Sequence, residues 1–338
     1  MIDSMDNDTV DQTFTPAARA ALDFFPIDAE ELTLVSLSEN VTFKVVDKHD
    51  GQAAYVLRLH RPGYHTLEEL DSERVWIRAL AEAGVDVPTA VPARDGRYYV
   101  PVTIAATGEQ RFAGLALWTE GRLLSDVLAE TSDPTVVEHS FRQLGAITAA
   151  MHNQASAWRP PPGFKRRALD SDGLMGAAPH WGPFWEHRSL SPAERGLLLE
   201  MRGRMHETLA RLSRAPSVYS LIHADMHPGN ILVDGDRLTV IDFDDTGFGW
   251  HQYDIATALT GWQTKPNAAE IERAFLSGYR AARPVPDEAL SLIPTFRLIR
   301  WMATIGWFHQ RPELDRPSEV FEERKAWVLK QCAPFQGG

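Results

Sequence analysis

The sequence is short of cysteine and of positive charge. Cys332 is the one cysteine in 338 residues, so an internal disulfide and a thiolate metal cluster are both excluded, and a reducing compartment, the cytoplasm, is expected. There are 34 Lys and Arg against 46 Asp and Glu, which gives a formal net charge of −12. Binding to nucleic acid or to an anionic membrane depends on basic patches, so we expect neither kind of partner.

Long hydrophobic runs are missing as well. The first six residues carry acids where a signal peptide needs a basic start followed by an apolar stretch. The most apolar late segment, 292–308, is interrupted by Pro294, Arg297 and Arg300, which argues against a membrane span. A soluble chain of 338 residues is long enough for two domains or one bilobal unit.

The first third of the chain alternates strands with one helix. Thr66 and Glu69 form a predicted capping box that starts this helix, and Gly84 ends it. Strands are predicted on either side of it, over 32–37, 41–46, 54–59, 98–104 and 112–118. This order predicts a small α+β lobe.

The remainder of the chain is mainly helical. Helices are predicted over 135–152, 192–212 and most of 254–330, and two short strands over 218–223 and 238–243. The Pro-, Gly- and Trp-rich stretch 160–192 is either a functional segment or a surface insertion. We therefore expect three parts: an N-terminal extension or helix over 1–30, a nucleotide-binding lobe over 31–118, and a catalytic, acceptor-binding lobe over 119–338.

One stretch carries the spacing that phosphoryl transfer requires. It reads His223-Ala-Asp225-Met-His227-Pro-Gly-Asn230 and continues, after a hairpin, with Ile241-Asp242-Phe-Asp244. In kinases an Asp accepts the hydroxyl proton, an Asn five positions later binds Mg²⁺, and a second Asp after the hairpin also binds Mg²⁺. Asp225, Asn230 and Asp242 have this spacing, and all three offer the oxygen ligands that Mg²⁺ prefers.

These paired motifs resemble the aminoglycoside phosphotransferase and choline kinase superfamily, and most closely its homoserine-kinase-like and bacterial stress-response-kinase-like branch. The resemblance covers nearly the whole chain after about residue 30. It implies a bilobal protein-kinase-like fold, with a small N-lobe of antiparallel sheet plus one helix and a larger, mainly helical C-lobe. It also implies ATP and Mg²⁺ in the cleft, Asp225 as the base, and Asn230 and Asp242 as metal ligands. Asp254 resembles the Asp that steadies the catalytic loop; alternatively, it is only an N-cap.

The nucleotide-binding signals are weaker. The first lobe contains no G-x-G-x-x-G, and the turn Ser38-Glu39-Asn40 takes the place of the phosphate-covering loop. Arg58 stands where kinases have the phosphate-binding Lys, and a guanidinium is able to hold phosphate oxygens. Glu73 lies on the apolar stripe of the following helix, where a carboxylate needs a partner, unless it only skirts the edge of that stripe.

The sequence thus predicts an enzyme that moves the γ-phosphate of ATP to a hydroxyl of a small molecule: an amino acid, amino alcohol, sugar or aminoglycoside. The alternative acceptor is a Ser or Thr of a protein. A remote alternative is a metal-dependent hydrolase that uses His223, Asp225 and His227, which alternate as zinc ligands do. A nucleotide-binding module without turnover is disfavoured because all three motif residues are present. Six aromatic residues either line an acceptor pocket or pack in the core: Trp181, Phe184, Trp185, Trp301, Trp307 and Phe308.

Overall fold

The computed structural model describes residues 7–37, 40–49, 54–312 and 319–333. The chain divides into two compact units. The first contains the described residues up to Gly121, together with Pro160–Lys165 and Thr239–Ile241, and the second contains the rest. No helix of the described ranges combines the length and apolar character needed to cross a bilayer.

The first unit is built on an antiparallel sheet. Its strands are β1 (Ala29–Leu37), β2 (Val41–Asp47), β3 (Ala54–Leu59), β4 (Ala90–Val91), β5 (Tyr99–Ile104) and β6 (Glu109–Leu117). They follow the order β1-β2-β3-β6-β4, with β5 also paired to β6, and every pairing is antiparallel. The predicted hairpin turn at Asp50-Gly51 lies outside the described residues.

Buried and half-buried residues alternate along the strands, and the buried ones form the core of this unit. Val41, Phe43 and Val45 of β2 are buried while the residues between them are half-buried, as expected for a strand with one face in a core. Helix α1 (Asn7–Leu22) packs Phe14 and Ala18 into the same apolar cluster. The predicted N-terminal helix is therefore part of the fold of this unit.

Helix α2 (Leu67–Glu82) comes after β3 in the chain and begins as predicted. The Thr66 hydroxyl accepts from the Glu69 N–H, and the Glu69 carboxylate accepts from the Thr66 N–H. Glu73 is buried on this helix beside Leu70, so the alternative that it skirts the edge of the apolar stripe is wrong.

Helices dominate the rest of the chain, so the predicted α+β class, with its sheet first and its helices later, is confirmed. The helices are α3 (Leu124–Glu130), α4 (Pro134–Ala157), α5 (Ser171–Met175), α6 (Pro192–Ala210), α7 (His251–Ala258), α8 (Ala268–Ala282), α9 (Asp287–Leu290), α10 (Ile293–His309) and α11 (Glu319–Cys332). The strands are β7 (Arg122–Leu123), β8 (Ala168–Leu169), β9 (Tyr219–Ile222), β10 (Ile231–Asp234), β11 (Arg237–Val240) and β12 (Gly247–Trp250).

Two glycines allow α4 and α8 to pack closely. A Cβ on Gly145 would lie 2.0 Å from the Phe275 carbonyl oxygen, and one on Gly278 would lie 1.8 Å from that of Arg142. Both distances are shorter than any real contact, so the crossing needs a residue without a side chain at both positions. This crossing fixes the position of α4, the helix that carries His152.

Two predicted boundaries differ in the structure. The strand predicted over 238–243 ends at Val240, so Asp242 lies beyond the strand, in a left-handed conformation with φ of 62°. The helix predicted to open at Asp254 begins at His251, and Trp250 is its N-cap residue. The N-cap interpretation of Asp254 is therefore wrong.

Candidate active site

The loop that follows β9 is shaped by its own two histidines. His223 Nδ1 accepts from the Asp225 N–H at 3.2 Å, and His227 Nδ1 accepts from the Gly229 N–H at 3.0 Å. Each imidazole thus caps the backbone two residues further on, as Asx side chains do in turns. This local role accounts for the two-residue alternation that suggested zinc ligands.

The Asp225 carboxylate lies at the centre of this loop and contacts three side chains. Asn230 Nδ2 donates to Asp225 Oδ2 at 2.9 Å and to the Asp225 carbonyl oxygen at 2.9 Å. His227 Nε2 lies 3.4 Å from the same Oδ2, and Arg300 Nη2 donates to Oδ1. The structure therefore brings together Asp225 and Asn230, the predicted base and one predicted metal ligand.

The charge of Arg300 decides the protonation state of Asp225. Burial raises the pKa of this carboxyl, but the positive charge of Arg300 and the contact with His227 outweigh it and hold the pKa well below its ordinary value. The guanidinium in turn has its pKa raised, although burial acts in the opposite direction. Asp225 is therefore a carboxylate, an acceptor of hydrogen bonds, throughout the neutral range.

Asp254 accepts two hydrogen bonds from the backbone of this loop. Its Oδ1 accepts from the Ala224 N–H at 2.7 Å, and its Oδ2 accepts from the His223 N–H at 2.9 Å. Ala224 has φ of 66°, a left-handed conformation that costs free energy for a residue with a Cβ. The two hydrogen bonds offset that cost, so Asp254 fixes the backbone directly before Asp225.

A buried histidine pair supports Asp254. His152 Nε2 lies 3.1 Å from Asp254 Oδ2, and its Nδ1 lies 2.8 Å from the Tyr279 hydroxyl, which therefore donates to it. The His152 ring stacks on His251, with centroids 4.3 Å apart. Burial lowers the pKa of His152 to about 3, so this imidazole is neutral, while burial raises the pKa of Asp254 to about 6.

The segment after Asp242 is fastened by Arg166. Its Nε donates to the Thr246 carbonyl oxygen at 2.7 Å, and its Nη2 donates to those of Asp244 at 2.7 Å and Phe243 at 3.2 Å. Phe243 also packs against the His223 ring, with centroids 4.8 Å apart. One guanidinium thus fixes the backbone next to Asp242, the second predicted metal ligand, and the ring contact joins that segment to the loop after β9.

In the first unit, the predicted nucleotide-binding residues have different outcomes. Ser38 and Glu39 lie outside the described residues. Asn40 is buried, and its Oδ1 accepts from the Arg61 N–H at 3.0 Å, so this side chain fastens the end of β3. Arg58 lies on β3 and Glu73 on the buried face of α2, and their pairing stays a prediction.

Sequence reasoning missed three residues of this site: Arg166, Arg300 and His152. Arg300 carried a usable signal, because an arginine inside an apolar helix needs an anionic partner, and the sequence offered Asp225. His152 lies next to Met151 on the apolar side of α4, where a buried imidazole also needs a partner. Arg166 lies in an irregular segment and had no signal of this kind.

Comparisons with known proteins show what the whole chain is similar to. A sequence model of the phosphotransferase enzyme family matches residues 32–288. Among curated proteins, the chain is 24% identical over 307 residues to an amicoumacin kinase of Bacillus subtilis (strain 168), which covers 88% of this chain and 85% of the relative. It is 28% identical over 243 residues to a homoserine kinase of Rhizobium etli (strain CIAT 652), which covers 67% of each.

Two solved structures have the same fold. A microcompartment-associated aminopropanol kinase is 32% identical with a TM-score of 0.79, and the match covers 94% of this chain and 95% of the other. An amicoumacin kinase in complex with AMP-PNP, Ca²⁺ and Ami is 22% identical with a TM-score of 0.78, and covers 98% and 97%. The predicted kinase-like fold and the predicted enzyme class are thereby confirmed. The chain belongs to the phosphotransferase enzyme family.

Proposed function

We propose that this protein transfers the γ-phosphate of ATP, with Mg²⁺, to the hydroxyl of a small molecule that also carries an amine. The observation that supports this most is the hydrogen-bonded pair of Asp225 and Asn230 on one short loop. Relatives named aminopropanol kinase and homoserine kinase favour amino alcohols and hydroxy amino acids as acceptors. The amicoumacin kinase complex with AMP-PNP favours an adenine nucleotide as donor.

The donor set of the loop fits a magnesium ion. Asn230 directs its amide nitrogen to Asp225, so its carbonyl oxygen points the other way and is the atom offered to a cation. Asp242 supplies a carboxylate, the kind of hard oxygen ligand that Mg²⁺ prefers. When bound there, the ion would neutralise charge on the phosphate oxygens. Asn230 and Asp242 are the residues that would hold it.

Asp225 has the properties of a group that orients the acceptor hydroxyl. It is ionised, partly buried and fixed from three sides, so a hydroxyl that donates to it is held in one position. As the hydroxyl oxygen bonds to the γ-phosphorus, the bond from that phosphorus to the β,γ-bridging oxygen breaks and ADP leaves, while the hydroxyl proton passes to a carboxylate oxygen of Asp225. The strained Ala224 backbone, held by Asp254, keeps this carboxylate in place.

An acidic and aromatic pair suits the amine of the acceptor. Trp181 Nε1 donates to Asp245 Oδ1 at 3.3 Å, and the Trp181 ring stacks parallel to Tyr253 with centroids 5.8 Å apart. Burial raises the pKa of the Tyr253 hydroxyl, and the negative charges of Asp245 and Asp225 raise it further, although the charge of Arg300 opposes them. A carboxylate beside an aromatic face is a favourable site for an ammonium group.

The test is a screen for ATP consumption. Amino alcohols, hydroxy amino acids, sugars, aminoglycosides and a generic protein substrate would be compared with wild-type protein and two variants. We expect turnover with an amine-bearing alcohol. Asp225→Asn should lose about 10²–10⁴-fold in rate with Mg-ATP affinity nearly intact, because a base does not hold the nucleotide. Asp242→Asn should instead raise the Mg²⁺ concentration needed for half-maximal ATP binding.

Asp234→Asn, at the exposed last residue of β10, is the matched control and should behave as wild type. Full turnover by Asp225→Asn would remove that residue from the mechanism. Phosphorylation of the protein substrate alone would replace the small-molecule proposal with the protein-kinase alternative. Failure of the wild type to bind ATP, with or without Mg²⁺, would refute both.

A further inference from the structure

We propose that Tyr279, on α8, is a positioning residue for Asp225 that acts through His152 and Asp254. Its hydroxyl holds the His152 ring in the orientation that directs Nε2–H at Asp254, and Asp254 in turn holds the backbone directly before Asp225. The inference rests on the proposed function, because Asp225 is the proposed base. It assigns a role in the reaction to a residue that lies 127 positions after His152 in the chain.

A line of hydrogen bonds joins Tyr279 to the loop after β9. The Tyr279 hydroxyl lies 2.8 Å from His152 Nδ1, and His152 Nε2 lies 3.1 Å from Asp254 Oδ2. The other carboxylate oxygen of Asp254 accepts from the Ala224 N–H at 2.7 Å. The His152, Asp254 and Tyr279 side chains belong to residues that are at most 1% exposed, so water does not compete for these bonds. Each polar atom in the line therefore depends on its neighbour in the line.

The chemistry of the groups sets the direction of each hydrogen bond. Asp254 is ionised at neutral pH and only accepts hydrogen bonds, so His152 Nε2 is the donor. A neutral imidazole carries one N–H, so His152 Nδ1 has the lone pair and the Tyr279 hydroxyl donates to it. The other tautomer would turn a lone pair towards the carboxylate. The hydrogen bond from Tyr279 therefore stabilises the tautomer that Asp254 requires.

The packing of α4 against α8 brings Tyr279 to this position. A Cβ on Gly145 would lie 2.9 Å from the Tyr279 backbone nitrogen, closer than real Cβ atoms come, so a glycine here lets the two helices approach. His251 covers one face of the His152 ring, with planes 14° apart, and its own Nε2 lies 2.8 Å from the Ser220 hydroxyl. The His152 ring is thus held at both nitrogens and on one face.

Loss of the Tyr279 hydroxyl should lower the rate rather than the affinity. Without it, the His152 ring is held at Nε2 alone, and Asp254 loses a donor of fixed position. The bond from Asp254 to Ala224 then weakens, and this left-handed residue, with φ of 66°, relaxes. Asp225 follows Ala224 in the chain and leaves the position in which it orients the acceptor hydroxyl. None of these side chains is a proposed ligand of ATP or Mg²⁺, so nucleotide affinity should stay unchanged.

The experiment compares Tyr279→Phe, which removes the hydroxyl alone, with Thr148→Val as the matched control. Thr148 lies one turn before His152 on α4, and its buried hydroxyl donates to the Leu144 carbonyl oxygen at 2.7 Å. The control thus removes a buried hydroxyl from the same helix without breaking the line from Tyr279 to Asp254. Steady-state kinetics with ATP and 3-aminopropan-1-ol give kcat and both KM values. We expect kcat to fall about threefold to tenfold in Tyr279→Phe, with each KM within about twofold of wild type.

Heteronuclear magnetic resonance of the full chain, without nucleotide, follows the His152 ring nitrogens and the backbone amides of His223 and Ala224. In the wild type the ring proton should reside on Nε2. In Tyr279→Phe the Nδ1 signal and both amide signals should move, because the bonds from the two amides to Asp254 weaken. In Thr148→Val all of these signals, and kcat, should stay as in the wild type.

A proton on His152 Nδ1 in the wild type overturns the proposal without any variant. Unchanged amide signals of His223 and Ala224, or an unchanged kcat, in Tyr279→Phe would also overturn it. An equal fall of kcat in Thr148→Val would mean a general loss of stability and would refute the specific role. The resonance measurement needs no turnover, so the two proposals fail separately. A wild type that transfers phosphate to no acceptor refutes the kinase proposal, while the amide signals still decide whether Tyr279 holds the loop.

Discussion

Arg300 and Asp225 form an ion pair between α10 and the loop after β9, 75 residues apart in sequence. The pair places a fixed positive charge against the proposed catalytic base. Because an opposite charge favours the ionised carboxyl, the pKa of Asp225 lies below its ordinary value. The base is therefore ready to accept a proton even in mildly acidic solution.

Replacement of this arginine should move the acidic limb of the pH–rate profile. Arg300→Gln removes the positive charge that lowers the pKa of Asp225 most, while burial still raises that pKa. The carboxyl of Asp225 therefore becomes protonated at a higher pH. We expect the acidic limb of kcat/KM to shift upward by about one pH unit or more. Arg297→Gln, one turn earlier on α10 and paired with Glu272 at 3.0 Å, is the control and should keep the wild-type limb. An unchanged limb in Arg300→Gln would contradict the coupling.

Arg166→Met should loosen the segment after Asp242, the proposed metal ligand, without replacing that ligand. The Arg166 side chain donates hydrogen bonds to the carbonyl oxygens of Phe243, Asp244 and Thr246. Without it, Asp242 loses its fixed position, and the half-saturating Mg²⁺ concentration should rise about tenfold, or about 1.4 kcal/mol. Mg²⁺ titration of ATP turnover measures this. Arg159→Met, on an exposed residue, should leave the requirement unchanged, and equal Mg²⁺ curves for both variants would disprove the role of Arg166.

Neutral His152 should make the protein sensitive to acid. Its pKa is lowered in the folded state, so the unfolded chain binds a proton below about pH 6.5 that the folded chain does not. Stability is full above that pH and falls as the pH decreases. Asp254 acts in the opposite direction. Its pKa is raised to about 6 in the folded state, so the folded chain takes up a proton before the unfolded chain does, and this raises the stability as the pH falls from neutral through about 6. Urea unfolding at pH 7.5 and 6.0 measures the sum.

The variant His152→Gln isolates the histidine contribution. It should be less stable than the wild type at both pH values, because it loses the bonds to Asp254 and Tyr279. However, it should lose about 0.8 kcal/mol less stability between pH 7.5 and 6.0, because one titrating group has gone. His139→Gln, which changes an exposed residue of α4, is the control. Equal pH dependence in His152→Gln and wild type would mean that His152 is not held neutral.

Arg58 and Glu73 are predicted to form an ion pair in the first unit that places the guanidinium against the nucleotide phosphates. Glu73 is only 4% exposed, so its carboxylate needs a cation. Arg58→Ala and Glu73→Ala should each raise the KM for ATP, and the double variant should lose less than the sum of the two in free energy, by about 0.5 kcal/mol or more. Steady-state kinetics on all four proteins measure the coupling.

The exposed pair Arg78 and Glu82 on the same helix is the matched control. Its double-mutant cycle should be close to additive and its KM for ATP unchanged. Strict additivity for Arg58 and Glu73 would refute their pairing. Lys44 would then be the next candidate for phosphate contact. In the structure its ammonium group lies 4.6 Å from the Trp118 ring centroid.

The sequence by itself determined the features that depend on neighbours along the chain. The capping box of Thr66 and Glu69 spans three residues, and the pairing of Asp225 with Asn230 spans five. Hydrophobic periodicity likewise assigned most strands and helices, because one turn of helix or one pleat is a local unit. These short separations leave the backbone few alternatives, so residue types and spacing were sufficient to predict a phosphotransferase loop.

Tertiary structure alone decided which distant residues support that loop. His152 reaches Asp254 over 102 residues, and Arg166 reaches Asp244 over 78. A buried arginine or histidine needs a hydrogen-bonding partner, which the sequence indicates. Which of the many carboxylates and carbonyls becomes that partner depends on how the helices pack. Here the crossing of α4 and α8 at Gly145 and the pairing of α10 with α7 make that choice. Packing geometry, which no local pattern encodes, therefore sets the charge and position of the proposed base.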